Sequence, residues 1–407
     1  MRLLYIHQHF TTPKGSGGIR SYEMAQRCIR EGVSVTMVCG SHSGGNTGLN
    51  SPFKWGKRTG KVDGIDVIEF NLAYSNKDNF FKRTYLFILY SLRALLVALT
   101  HKYDIIFAST TPLTAGIPGI FARWIRGKLF VFEVRDLWPE LPKAMGVIKN
   151  PIILKLMELL EWATYKSANR LIGLSPGICD GIASKNIQNE KIIEIPNGCD
   201  IGLFSKSINK WRPHGVNEDD VLFVFSGAHG IANGLDAVLD GVNILKKRNI
   251  KGFKIVLIGN GKLKANLIHR ASIEKLNDYI IFLDPVPKEK LIGLLNSTDV
   301  GLQILSNIPA FYYGTSPNKF FDYISASLPV LTNYPGWIAD LIQKNNCGFA
   351  CEPGDPNKFA DEIVNVLKNK KSLKEMGKNA HTLASNEFSR EKLSLKWFNW
   401  VIKNKIT

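Results

Sequence analysis

Short apolar runs recur along the chain, each followed by a turn rich in glycine, proline or small polar residues and then by a segment of helical period. Arg2 to His7 reads as a buried strand, Ile19 to Glu31 as a helix ended by Gly32, and Ser34 to Cys39 as the next strand. Ile65 to Phe70, Tyr103 to Ala108, Lys128 to Val134 and Arg170 to Leu174 continue the strand series, and Ile152 to Ala168 is an amphipathic helix. Residues 41–60 are polar and glycine-rich and predict a mobile loop. A second series follows, with strands at Val221–Phe225, Phe253–Ile258, Tyr279–Leu283, Asp299–Gln303 and Pro329–Thr332, and the chain closes in helices from Pro356 through Trp400. Ser175-Pro176 and Ser316-Pro317 each predict a helix start, a capping hydroxyl followed by proline at the first helical position. The turn from Pro196 to Asp200 and the polar stretch 205–220 mark a boundary. The pattern predicts an α/β chain of two Rossmann-like domains, each built on a parallel sheet, facing a cleft between them.

Composition narrows the partners. The 407 residues are 45% apolar, enough for two large domains with real cores, and the net charge is +17. That charge is spread through the chain and not gathered in a tail. It favours a nucleotide, a phosphate or an anionic membrane over nucleic acid, for which no aromatic–basic stacking motif is present. The six cysteines are scattered, and Cys347 and Cys351 have no histidine beside them, so neither a zinc site nor a disulfide framework is expected. The opening strand is too short and too soon polar for a signal peptide, which points to the cytoplasm. The most apolar stretch, 79–99, is interrupted by Arg93 and falls short of the ~20 residues a spanning helix needs. Phe80, Phe81, Lys82, Arg83 and Tyr85 at one end suit an interfacial anchor. A long helix packed in the core is the alternative, and one amphipathic helix can be both.

Three places carry candidate chemistry. In Thr315 to Tyr323, the helix start and Lys319 favour an anion, while Asp322 one turn on can accept bonds from sugar hydroxyls. This is either a pocket for a phosphorylated sugar or nucleotide, or a capped helix with a surface Lys–Asp pair. Gly15 to Gly18 form a glycine-rich first turn, but the spacing is not G-x-G-x-x-G and no acid follows Cys39, so a dinucleotide is weakly supported. The strand ending at Val134 delivers Glu133, Arg135, Asp136 and Trp138 to the end where ligands sit in open sheets. They read as a sugar-binding or acid/base site, or as a salt-bridged strand end.

Taken together, Gly17-Gly18, Ile195 to Asp200, Ser226 to Gly230 with Gly234-Leu235, Ile258 to Gly261 and Ser316 to Tyr323 resemble the retaining glycosyltransferases of the GT4 family, which have the GT-B fold. Glu133 to Glu140 and Tyr5 to Phe10 resemble within it the WbuB-type L-fucosamine transferases of bacterial O-antigen and capsule assembly. The resemblance implies an acceptor domain at 1–195, a donor domain at 196–387, and a last helix near 388–407 packed back on the first domain. It implies a UDP-sugar donor, no metal or other cofactor, and a polyprenyl-diphosphate-linked saccharide acceptor reached from the inner face of a cytoplasmic membrane with an anionic surface. Gly17, Gly18, Gly227, His229, Asn233, Leu283, Val286, Thr315, Ser316, Asn318 and Asp322 would hold the donor, and His9, Glu133 and Arg135 the acceptor side. Lys319 would neutralise the departing diphosphate, and Asp136 would orient or deprotonate the acceptor hydroxyl. The sequence departs from the family's E-x7-E pattern: Gly314 stands at the first acid and Asp322 at the second. Where many members carry Arg and Lys after the first strand of the second domain, His229 and Asn233 stand here. A nucleotide-sugar 2-epimerase of the same fold, or an inactive nucleotide-sugar- or membrane-binding partner, is the alternative function.

Overall fold

The computed structural model describes residues 1–403 except 16, 76–77 and 206–207, so positions 404–407 of the expected closing helix lie outside the described residues. Two α/β units result: Met1–Asn197 with Gly314–Ser316 and the chain from Glu391 onward, and Gly198–Tyr313 with Pro317–Arg390.

The first unit is built on β1 (Arg2–Ile6), β2 (Ser34–His42), β3 (Lys57–Val62), β4 (Ile65–Tyr74), β5 (Ile105–Ser109), β6 (Leu129–Val134), β7 (Arg170–Gly173) and β8 (Ile192–Glu194). Their order is β3-β4-β2-β1-β5-β6-β7-β8, parallel throughout except for β3 against β4. Helices α1 (Arg20–Arg30), α2 (Phe80–Thr100), α3 (Gly116–Arg126) and α4 (Pro151–Ser167) cover it. Every residue of β5 is buried, as in a parallel sheet clad on both faces.

The stretch 41–60 is not loop throughout. Lys57 begins β3, which pairs antiparallel with β4 so that Val62 lies opposite Ile65. Between them Asp63 and Gly64 both have positive φ, 48° and 87°, which suits a two-residue hairpin turn whose twist matches the strands. The strand is polar because it sits at the sheet edge, with most of its side chains exposed or half-buried.

The second unit is a parallel sheet of β9 (Val221–Ser226), β10 (Phe253–Ile258), β11 (Ile280–Leu283), β12 (Val300–Gln303), β13 (Val330–Thr332) and β14 (Gly348–Ala350), in the order β11-β10-β9-β12-β13-β14. Phe223, Phe225, Ile255 and Leu257 share one buried cluster with Val238, Leu239 and Val242 of α5 (Asp236–Lys247). Each such side chain, fully buried, stabilises the unit by about 1.5–3 kcal/mol. The loops that follow β9 and β10 lie at the carboxyl ends of the strands, the ligand end of such a sheet.

Helix α6 runs Asn318–Ser325, with Pro317 itself at the N-cap and no side-chain cap bond. The expected cap at Ser316 is therefore absent: its Oγ accepts instead from the Asn197 backbone N–H at 3.0 Å, and its carbonyl accepts from Asn197 Nδ2 at 2.6 Å. At Ser175-Pro176 the same dipeptide does cap its helix, through the Ile178 N–H. In α7 (Arg390–Phe398), Trp397 is buried in the first unit, edge-on to Phe107 at 4.9 Å and stacked on Tyr5 at 6.0 Å.

Candidate active site

In the second unit the site grows from two glycine turns. A Cβ on Gly259 would lie 1.8 Å from the Gly227 carbonyl oxygen, so only glycine lets these backbones touch. The Gly227 N–H donates to the Ile258 carbonyl and the His229 N–H to the Asn260 carbonyl, fixing the two loops edge to edge. Against Gly227 lies the Lys319 stem: a Cβ there would meet Lys319 Cε at 3.1 Å. The Lys319 ammonium sits 4.6 Å from the centre of the Phe225 ring and donates to Asn233 Oδ1 at 2.9 Å. Asn233 is itself oriented by its Nδ2 bond to the Ala228 carbonyl. Among the described residues Lys319 is in no ion pair, and its burial draws its pKa down to about 8. It is a desolvated cation at a helix start with no counter-charge, a state that an arriving anion relieves.

Asp322 is differently placed. Lys288 Nζ reaches both its oxygens, at 2.7 and 2.6 Å, so the carboxylate is held by a lysine on another helix and not by Lys319. His229 is buried with neither ring nitrogen hydrogen-bonded among the described residues, and burial followed by the Lys264 charge pushes its pKa to about 4. It is neutral at working pH. Lys264 bonds the Gly259 and Leu283 carbonyls and the Asp284 carboxylate, so the Leu283 carbonyl is already engaged and Val286, part-buried, lies on the loop beyond.

The first unit holds a cavity of about 260 Å³ lined by His7, His9, Gly17, Gly18, His42, Thr111, Arg135 and Asp136. Arg135 Nη1 lies 3.2 Å from His7 Nε2. A guanidinium only donates, so Nε2 carries the lone pair and Nδ1–H donates to Ser21 Oγ at 2.9 Å. Burial, then the Arg135 charge, holds His7 well below its ordinary pKa. Burial and the neighbouring His42 and Arg135 take His9 to about 3. Both imidazoles are thus neutral, and Arg135 is the cavity's cation. Asp136 accepts from Thr111 Oγ1 at 3.3 Å, and burial raises its pKa despite Arg135. A carboxylate of raised basicity beside a fixed cation is suited to take a proton from a hydroxyl.

Residues 16–198 match the family described as Glycosyl transferase 4-like domain, and residues 207–383 the family described as Glycosyl transferases group 1. The chain is a glycosyltransferase with the GT-B fold. A probable glycosyltransferase of Pseudomonas aeruginosa, WbjE, is 24% identical over 320 residues, 74% of this chain and 77% of that one. The capsular polysaccharide biosynthesis glycosyltransferase CapM of Staphylococcus aureus is 23% identical over 308 residues, 73% of this chain and 76% of that one. Among solved structures, Anabaena HepE in complex with UDP and glucose superposes with a TM-score of 0.69 at 15% identity, covering 99% of this chain and 100% of that one.

Within this glycosyltransferase the predicted residues fall into two groups. Gly227, Asn233 and Lys319 meet in the second unit, with His229 in the same loop, and Gly17, Gly18, His9, Arg135 and Asp136 line the cavity of the first. Glu133 does not join them. It is buried, bonded through Oε2 to Arg20 Nε and Nη2 at 3.0 and 2.8 Å and through Oε1 to Ser109 Oγ at 2.8 Å. Arg20 also donates to the Ile195 and Pro196 carbonyls, so this pair ties α1 to the end of the first unit. Thr315 and Ser316 belong to the Gly314–Ser316 segment, Ser316 being used by Asn197, and Asn318 opens α6 exposed. His7, His42, Thr111, Arg20 and Lys288 were missed. His7 had a signal: it stands just past the end of the first strand, two residues before His9, where loops of an open sheet meet ligands.

Proposed function

We propose that the enzyme moves a sugar from a UDP-sugar to a polyprenyl-diphosphate-linked saccharide with retention, in the assembly of a bacterial surface polysaccharide. One observation carries the reading: the uncompensated Lys319 ammonium held by Phe225, Asn233 and Gly227 at the start of α6. The bond from the anomeric carbon to the diphosphate oxygen breaks, the acceptor oxygen bonds to that carbon on the face the diphosphate leaves, and the acceptor proton passes to Asp136. Negative charge grows on the departing diphosphate, and a preorganised cation there is worth more than one in water. Lys319 serves this role without a bound metal, so chelator leaves the rate unchanged. UDP in HepE and capsule assembly in the CapM name support the donor and the pathway class. The donor sugar is proposed to be an N-acetylated 6-deoxyhexosamine such as N-acetyl-L-fucosamine, on the resemblance of Glu133 to Glu140. The enzyme works peripherally at the inner face of the cytoplasmic membrane, where such an acceptor resides.

The test is a screen of purified protein against UDP-sugars with a short polyprenyl-diphosphate-GlcNAc acceptor. UDP release that requires the acceptor supports the proposal. Inversion at C2 of the donor sugar without acceptor would assign the 2-epimerase reading instead.

A further inference from the structure

Helix α2 is amphipathic in a particular way. One side is fixed to the sheet: Tyr90 Oη donates to the Val38 carbonyl, Arg93 to the Gly56 carbonyl, and Leu86, Ala94 and Ala98 are buried. The helix is long and apolar enough to cross a bilayer, but crossing would strip these contacts away. Its other side carries Phe81, Tyr85, Leu92 and Leu96, spaced to form one stripe, with Phe81 81% exposed.

The stripe does not stand alone. Helix α3 packs between α2 and α4. It exposes Trp124 (70%) and Ile125. Next to it α4 exposes Ile152 (70%), Leu156, Leu159 and Trp162 along one side, while its Thr164 and Tyr165 face inward. Trp124 Nε1 is satisfied by Ser167 Oγ at 2.9 Å, which lashes α3 to the end of α4 and leaves the indole ring outward. Three parallel stripes on neighbouring helices make an apolar plate of a size that soluble surfaces rarely leave bare. The charge beside it is mostly basic: Lys82 at the start of α2, Arg123 on α3 and the exposed Lys155 and Lys166 of α4, against the exposed Glu158 of α4 and Asp78, which pairs with Lys82. On α4, Glu161 is buried and paired with Lys185, so it does not offset them.

We infer that the outward faces of α2, α3 and α4 form a single membrane-docking plate that lies on an anionic bilayer, with the aromatic rings at headgroup level and the basic side chains on lipid phosphates. A protein partner or a second copy would have to match a basic rim around an apolar centre; an anionic bilayer supplies both. The inference deepens the reading of a membrane-borne acceptor but is tested without donor or acceptor, so either can fail alone.

The experiment is flotation of the full chain with phosphatidylcholine vesicles, with and without phosphatidylglycerol at roughly three parts in ten. Two double variants probe separate helices: Phe81→Glu with Leu92→Glu on α2, and Ile152→Glu with Leu156→Glu on α4. All four positions are exposed, so melting temperature is expected to be unchanged. Binding that needs the anionic lipid and weakens about tenfold or more in each pair supports the plate. Loss in the α2 pair with full binding in the α4 pair would reduce it to a single-helix anchor and overturn it. So would absence of binding at low salt, or sedimentation showing a dimer that both pairs dissolve.

Discussion

Replacing Lys319 with Met separates function from stability, because the same desolvation that readies the ammonium for a diphosphate penalises the fold without one. On folding its pKa falls from 10.5 to about 8, which corresponds to about 3 kcal/mol against the charged form. The Asn233 hydrogen bond returns about 1 kcal/mol and the Phe225 ring about 0.5–1 kcal/mol. Lys319→Met, which fills similar space without charge, is therefore expected to stabilise the free protein by about 1–2 kcal/mol at pH 7. The sign fixes the pH course. Below about pH 8 the lysine is charged in both states and the penalty is complete. Between about 8 and 10.5 the folded state releases its proton first, stability of the parent rises, and the gap closes. Urea denaturation of both proteins at pH 7 and pH 10 reads this difference. Transfer should meanwhile fall about 10²–10³-fold in kcat/KM, the cost of losing one preorganised charge contact. A Met variant less stable than the parent at pH 7, or one with full kcat/KM, would refute the reasoning.

Three further outcomes are expected. Asp136→Asn lowers kcat about 10²–10⁴-fold and abolishes the acid limb of the pH–rate profile, which in the parent lies above the ordinary carboxylate pKa of 3.8 because the base must be ionised. The depressed His7 and His9 add no limb near 6.5, so a limb there that survives in Asp136→Asn would contradict the assignment. Glu133→Ala leaves Arg20 buried without its counter-charge and costs about 3–5 kcal/mol in chemical denaturation, whereas a purely catalytic Glu133 would lose rate and keep stability. Gly259→Ala pushes a methyl against the Gly227 carbonyl and should weaken UDP binding in calorimetry about tenfold or more; unchanged affinity would contradict the two-loop site.

Local grammar in the sequence carries the sheets, because parallel strands covered on both faces must be nearly continuous apolar runs. It carries less where a polar strand pairs at an edge: β3 has no alternating apolar signal, so its start falls within the expected 41–60 loop, and the Asp63-Gly64 turn that forms its hairpin goes unread. The two Ser-Pro dipeptides show the limit of local rules. Ser175 caps its helix, but Ser316 is claimed by Asn197, which is 119 positions away and invisible to a helix-start rule. Site chemistry followed the same division. Lys319 was legible from its helix start, and His9 and Asp136 from strand ends. Arg20 with Glu133, separated by 113 positions, and Lys288 with Asp322, separated by 34, depend on topology that pairs charges across elements. For that reason Glu133 read as a site residue when its carboxylate is a structural tie.

The measurement that bears most directly on the account is calorimetric titration of UDP into the parent and into Lys319→Met at pH 7. If Lys319 receives the departing diphosphate, the parent binds UDP and the variant binds it at least about tenfold more weakly, a difference of 1.4 kcal/mol. Equal affinity in the two proteins, or no binding by either, would contradict it.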